Sequence, residues 1–356
     1  MNCKTTSLVF LLHAVLGAHA YDCFGNGNEL RAAVQQWFSE TGNSKVLEKY
    51  GYMKDWCVSS VEDFSGVFSK FRIGEESAKV FKDDLSGWNV SSGTDFSYMF
   101  DGCESFESDL SAWKVSNAKN LSFMFNDCRE FDSALHDWDV SDVEDLSFMF
   151  TRCKRFRGRG LENWNTGKVQ SLSSTFEMVG DDFNAKLSGW KTSQVTAMDR
   201  TFAWAYGFNQ DLDNWGTSKV TTMREMFTDC SKFDGVITSW DTSNVKDMRH
   251  MFNGASLFNR DIGRWDVSKV QDFTNMFYHA GSFNQDLSRW DTSSAKDMSY
   301  MFGHANAFLG DISTWNTGQV HSMTVSISWA ISMDYRHGQP YAYPSFFLSF
   351  ASFANS

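Results

Sequence analysis

Six aspartates stand four residues before a tryptophan: Asp84, Asp109, Asp211, Asp261, Asp286 and Asp311. On stacked strands such carboxylates would fall about 5 Å apart, close enough to invite a shared cation. No unit supplies the further oxygen ligands that a calcium cage needs. The expectation is that each carboxylate accepts backbone N–H groups at a turn, as Asx residues do. His279 and His304 also share a column, with no cysteine or carboxylate fixed beside them in each unit, so solvated imidazoles are expected rather than a metal pair. No nucleophile elbow, glycine-rich phosphate loop or zinc signature stands apart from the pattern. The expectation is therefore no catalytic residue, no metal, no cofactor and no enzymatic activity.

Three other groups of residues carry chemistry. Asn89-Val90-Ser91 and Asn120-Leu121-Ser122 are glycosylation sequons, in columns that hold polar residues elsewhere, so both asparagines are expected to be exposed. Arg152, Lys154, Arg155, Arg157 and Arg159 form a local basic stretch on an acidic chain and are the candidate electrostatic docking patch. Cys103, Cys128, Cys153 and Cys230 occupy a column that otherwise holds mostly alanine, as expected of a tight apolar slot filled by free thiols. Cys23 and Cys57 lie outside that column and are the expected disulfide, closing an N-terminal cap.

What positions these residues is a repeat. Tryptophan recurs at Trp88, Trp113, Trp138, Trp164, Trp190, Trp215, Trp240, Trp265, Trp290 and Trp315, always 25 or 26 residues apart, with Trp56 heading a longer first unit. A fixed short period signals stacked units rather than one globular core. In the unit Trp265–Trp290 the apolar residues Val270, Phe273, Met276, Phe277 and Ala280 follow steps of three, three, one and three, which suits a short helix or tight helical turns. Ser268 with Gln271 reads as a capping box, as do Ser59 with Glu62 and Ser141 with Glu144. Asp286-Leu287-Ser288 alternates like a short strand. The fold expected is an α/β solenoid: a leucine-rich-repeat-like right-handed superhelix of about ten units, each a strand plus a helix or helical turns. Its Trp, Phe and Met columns are expected to be core. Two breaks interrupt the pattern, an insert over Ser69–Asp83 and the basic stretch.

The expected organisation is a secretory signal over 1–20, with Lys4, an apolar run and Ala18-His19-Ala20 as cleavage site. A cap follows over 21–55, with Leu30, Ala33, Val34 and Trp37 at helical spacing. The repeat region spans 56–325 and a divergent tail 326–356. Without the signal, 31 basic face 44 acidic residues, a net −13. Such a surface repels phosphate backbones and anionic lipid heads, excluding nucleic acid as a natural partner, and the apolar run is too short to insert in a membrane.

The pattern WDTSxVxxMxxMFxxAxxFNxDLSxW, clearest from Trp240 through Trp315, resembles the 26-residue repeat of BspA-type leucine-rich-repeat surface proteins. The resemblance covers roughly 56 to 325 and extends to the entry segments Leu30–Val34 and Tyr50–Trp56. The chain departs from it in using Phe for Leu at Phe258, Phe283 and Phe308, and in its mostly 25-residue units. The resemblance implies recognition or adhesion at a cell surface. The signal, the two sequons and the lack of a visible wall or lipid anchor suit a member from a eukaryotic microbe. The function expected is a secreted or surface-associated recognition protein that binds an extracellular protein or glycan along one face. The alternative is a coat or matrix component that self-assembles; the oligomeric state is open.

Overall fold

A computed structural model describes residues 21–39 and 42–324. The expected signal over 1–20 and tail over 326–356 lie outside the described residues. Among the described residues α-helices occur only over Gly27–Val80: α1 (Gly27–Trp37), α2 (Ser44–Tyr50), α3 (Lys70–Ile73) and α4 (Glu75–Val80), with single 3₁₀ turns at Met53–Asp55 and Leu161–Asn163. The rest is a stack of turn-rich units, each touching the next through one isolated parallel bridge, from Asp63↔Asp95 through Asp297↔Ser322.

The expected α/β solenoid, with a strand and a helix in every unit, is thus overturned. Among the described residues no sheet forms, and the repeated units contain no α-helix. The reason lies in where the backbone N–H groups go. In the unit Trp265–Trp290, the N–H groups of Met276, Tyr278 and Ala280 bond three residues back, to the carbonyls of Phe273, Asn275 and Phe277. Those of Phe273, Asn275, Phe277 and His279 leave the unit for the carbonyls of Asp297, Ser299, Met301 and Gly303, at 2.8–2.9 Å. A helix would direct its N–H groups to residues four back. Here every second donor is used between units, and what remains inside is a chain of β-turns.

Two of those turns carry a left-handed third residue, Asn275 (φ +55°) and His279 (φ +57°), as type II turns require. The same two columns are left-handed along the stack, at Tyr98, Phe123, Phe148, Arg200, Glu225 and His250, and at Asp127, Arg152, Trp204, Asp229 and His304. The conformation costs a non-glycine residue about 1–2 kcal/mol. It persists because these residues, from Tyr98 and Asp127 through His250 and His279, donate their N–H groups to the next unit. The apolar steps of three that suggest a helix are the three-residue closures of successive turns. The expected capping serine is also displaced: the Ser268 N–H bonds Asp266 Oδ1 at 3.0 Å, and the Gln271 N–H bonds the Lys246 carbonyl.

Columns of identical side chains fill the space inside. Phe68 to Phe302 stack at ring separations of 5.4–5.9 Å, and Phe81 to Phe308 at 5.7–6.2 Å. The tryptophans stack beside them, Trp190 on Trp215 at 6.3 Å and Trp290 on Trp315 at 6.1 Å. Each indole also donates its Nε1–H to a carbonyl of the unit before: Trp215 to Leu187, Trp240 to Leu212, Trp290 to Ile262, at 2.9–3.0 Å. The slot two residues after the tryptophan takes Val or Thr. Where it is Thr217 or Thr242, the buried hydroxyl donates to the next unit's Asp241 or Asp266 carbonyl.

At the N-terminal end α1 buries Leu30, Ala33 and Val34. Gly27 comes so close to the first unit that a Cβ there would lie 2.1 Å from the Asp63 carbonyl oxygen. Arg31 uses that approach: its guanidinium bonds the Asp63 carboxylate at 2.9 Å and reaches the Asp63 and Ser65 carbonyls. Cys23 and Cys57 are joined in a disulfide. Glu29 accepts from the Tyr50 hydroxyl at 2.6 Å and from the Gly25 N–H. Tyr50, then Gly25 and Lys49, pull its carboxyl from the usual 4.5 down to about 2.

Two outcomes are expected. Trp215→Phe keeps a ring in the ladder but removes one of the two donors to the Leu187 carbonyl, leaving only the Trp190 N–H at 3.0 Å, so urea denaturation should show a loss of about 1 kcal/mol from the missing bond, with the smaller ring adding to it; an unchanged midpoint would show that the indole N–H is idle. A depressed carboxyl stabilises the fold above its unfolded pKa, and that contribution disappears as pH falls through the folded value. The stability gap between wild type and Glu29→Gln should therefore be full at pH 6 and close between about pH 4.5 and 2. A gap that persists at pH 2 contradicts the assignment.

Candidate functional site

The buried columns keep to one side chain or to a few of similar size, so the residues that differ most in chemistry between units lie on the surface. They concentrate on the face that carries the bridges. Three columns form it: the bridge residue, the residue two further on, and the left-handed residue after that. In the first five units the middle column is Ser65, Ser97, Ser122, Ser147 and Ser173, a floor of small side chains. The bridge column beside it is Asp63, Asp95, Asn120, Asp145 and Ser171. The serine N–H groups bond back to it, Ser97 to Asp95 at 2.8 Å and Ser147 to Asp145 at 2.8 Å.

On the other side of the floor stands an aromatic row. Tyr98 stacks on Phe123 at 4.4 Å and Phe123 on Phe148 at 4.3 Å, with planes within 9°. Its two ends open onto two shallow surface depressions. One, of about 410 Å³, lies at Tyr98 between Ser65, Gly66 and Phe71; the other, of about 450 Å³, lies at Phe148 and Ser174. Beyond Ser174 the small residues give way to a charged cluster. Arg200 grips Glu225 with two nitrogens, at 2.7 and 3.1 Å, and Arg224 joins it at 2.9 Å. Arg249 pairs with Asp247 and with Asp272. Burial works against the charge of Glu225, but Arg200 and Arg224 outweigh it and hold the carboxyl below the usual range. Asp199 bonds the Thr222 hydroxyl and the Arg224 N–H, yet burial leaves its carboxyl raised.

The residues singled out in the sequence fall around this face rather than at one point. The aspartates before the tryptophans are turn caps: Asp84, Asp109, Asp286 and Asp311 accept the N–H of Ser86, Ser111, Ser288 and Ser313 at 2.8–2.9 Å. Those serines hold the four carboxyls below the usual range, mainly through the hydroxyl at Asp84 and Asp311 and through the N–H at Asp109 and Asp286. Asp261 caps Gly263, whereas Asp211 reaches forward to the Val236 N–H. His279 and His304 stack at 4.4 Å, and burial followed by the His304 charge lowers the pKa of His279. Among the described residues no group of three or more His, Cys, Asp or Glu is placed to hold a metal ion. Cys103, Cys128, Cys153 and Cys230 are buried free thiols, pushed well up by burial.

Asn89 is exposed, with Oδ1 accepting the Ser91 N–H. Asn120 differs from expectation: it is half-buried in the bridge column, between Asp95 and Asp145, on the candidate face itself. The basic stretch is exposed but largely neutralised by the preceding unit. Arg155 pairs with Glu130 at 2.8 Å, Arg157 and Arg159 converge on Asp132, and Lys154 donates to the Met178 carbonyl. Arg152 sits in a left-handed position and its N–H bonds the Glu177 carbonyl. The stretch braces one unit against its neighbours.

Comparison with protein families matches residues 32–161, 144–241 and 234–337 to the family described as Mycoplasma protein of unknown function, DUF285. The chain belongs to the DUF285 family. The three tandem matches run through the cap helices, all the tryptophan units and the whole candidate face. No curated protein and no solved structure matches the chain, so the DUF285 assignment establishes the repeat and leaves the ligand to chemistry. The aromatic row and the Arg200 cluster escape sequence inspection because they occupy the x positions of the repeat. The signal available was their variability beside invariant columns.

Asp132→Asn keeps the acceptor for the Arg157 N–H (3.0 Å) but removes the countercharge of two arginines. The variant should elute from a sulfonate column at higher salt than wild type. Identical elution would mean that these arginines do not depend on Asp132.

Proposed function

We propose that this DUF285-family repeat protein is a secreted or cell-surface recognition protein that binds an extracellular protein or glycan along the bridge face. The observation that carries this reading is the contrast between repeating and non-repeating columns. Packing restricts each buried column to one residue type, as for Phe and Trp, or to residues of similar size, as for Val/Thr and Ala/Cys. It makes no such demand of Tyr98, Phe123, Phe148, Arg200, Glu225 and His250, which share one backbone conformation and yet differ in chemistry. Aromatic and arginine side chains on a rigid scaffold are the residues from which binding hot spots are built. The serine floor gives the row relief, and the Arg200–Glu225–Arg224 pairs hold the charged end in place. The BspA-like pattern of the repeat supports a role in adhesion, and the two sequons agree with export from the cell.

The test is binding of residues 21–356 to panels of immobilised cell-surface proteins and glycans. Phe148→Ala and Arg224→Ala should each weaken the interaction by about tenfold, while Arg289→Ala, an exposed residue of another column, should leave it unchanged. A glycan on Asn120 would stand on this face, so Asn120→Gln produced in a glycosylating host should bind at least as well as wild type. Equal binding by wild type, Phe148→Ala and Arg224→Ala removes the face from the function.

A further inference from the structure

The aromatic row ends abruptly at Tyr98, and the position before it in the same column is Gly66. The hydrogen-bond register fixes that equivalence: the Gly66 N–H donates to Ser97 O at 2.8 Å as the Tyr98 N–H donates to Ser122 O at 3.0 Å. The backbone is the same as well, with φ of +57° at Gly66 and +58° at Tyr98. Tyr98 stacks on Phe123 with one ring face. Its other face is turned along the column towards Gly66, which has no side chain to cover it. Tyr98 is 38 % exposed as a result.

The insert that breaks the repeat delivers two residues to this gap. Phe71 and Arg72, both in α3, line the same depression as Gly66 and Tyr98. Phe71 is 79 % exposed, with the Lys70 ammonium 5.2 Å from its ring centroid. Arg72 is held in place by donating Nε–H to the Gly66 carbonyl at 2.9 Å. Arg31 reaches the adjacent Ser65 but is already paired with Asp63 at 2.9 Å. Arg72, by contrast, makes no ion pair among the described residues, since the Asp63 carboxylate that acts on it is bonded to Arg31.

We propose that this depression binds a planar aromatic group that carries a carboxylate, the ring filling the rung left empty at Gly66 against Tyr98 and the carboxylate meeting Arg72. The ring would extend a stack whose own spacing is 4.3–4.4 Å and would cover exposed surface of Phe71. The carboxylate would make charge-assisted bonds to a guanidinium that already has its orientation fixed. Burial and the neighbouring Arg31 charge both lower the pKa of Arg72, so an anion relieves a repulsion that is present before it arrives. A free aromatic acid and the aromatic C-terminal residue of a polypeptide offer the same chemistry.

The inference rests on the bridge face being a recognition surface, and its test is separate. Calorimetry and ligand-observed NMR on residues 21–356 would compare 3-phenylpropionate with 3-cyclohexylpropionate and 3-phenylpropionamide. An aromatic contact predicts roughly two- to tenfold tighter binding of the phenyl acid than of the cyclohexyl acid, and the amide should bind more weakly than the acid. The tripeptide Ala-Ala-Phe binding more tightly than 3-phenylpropionate would support a polypeptide terminus as the source, and the reverse a small aromatic acid. Gly66→Phe places the chain's own ring in the gap, as Tyr98, Phe123 and Phe148 do in the following units, and should abolish binding at a modest loss of melting temperature, since the residue is left-handed and its new Cβ would lie 3.3 Å from Ser69 Oγ. Should that variant misfold, Tyr98→Ala removes the platform and should also abolish binding. Arg72→Gln should bind acid and amide alike. Absence of phenylpropionate binding, equal affinity for the cyclohexyl acid, or undiminished binding by Tyr98→Ala overturns the pocket; partner capture that still depends on Phe148 would then leave the wider recognition reading standing.

Discussion

The structure depends on how its backbone donors are divided. In each unit alternate N–H groups close turns inside the unit, and the others bond the unit that follows. A helix keeps all its donors to itself and a strand gives them all away, so neither can form under this division. The left-handed residues at the third turn positions are the means by which the chain changes direction often enough to serve both demands. Their conformational cost of about 1–2 kcal/mol each is offset only when the neighbouring unit is in place. A single unit is therefore unstable alone, and stability passes along the array through nearest neighbours.

Side chains reinforce the same dependence. The indole Nε1–H, the threonine hydroxyl and the asparagine carbonyl all bond across the junction rather than within a unit. Asn184, Asn209, Asn259 and Asn284 each accept an N–H from the unit that follows, from Asn209, Asp234, Asn284 and Leu309 respectively, at 2.7–2.9 Å. The stacked phenylalanines fill the interior so closely that the other buried columns vary only among residues of similar size, such as Val and Thr or Ala and Cys. Changes of charge and polarity are left to positions whose side chains leave the stack, which is why the bridge face holds much of the units' individuality.

Much of this was legible in the sequence. The tryptophan period, the buried phenylalanine and methionine columns and the apolar Leu30–Ala33–Val34 stripe could be read from spacing, because burial imposes a residue type at a fixed interval. The local backbone could not. Val270, Phe273, Met276 and Phe277 have the same spacing whether a helix or a run of β-turns brings them to one side, and only the left-handed angles at Asn275 and His279 tell the two apart. Asparagine and histidine tolerate that conformation, but Tyr98, Phe148 and Arg200 in the same column give no hint of it. The candidate face was hidden for the same reason. Its rows exist only once turns place residues 25 positions apart in register, and the basic stretch, prominent in sequence, finds its countercharges at Glu130 and Asp132 in the unit before.

Arg31 has a consequence for what the molecule can become. The Asp63 and Ser65 carbonyls are the acceptors that a preceding unit would use, and the guanidinium covers both, with α1 lying against them at Gly27. An open row of acceptors is a template on which another copy of the chain can continue the pattern. With the first two carbonyls of that row already bonded, another copy of the chain would have to displace both a guanidinium and a helix before it could continue the pattern there. The cap thus does at the end of the stack what each unit does within it, supplying donors to the unit that follows.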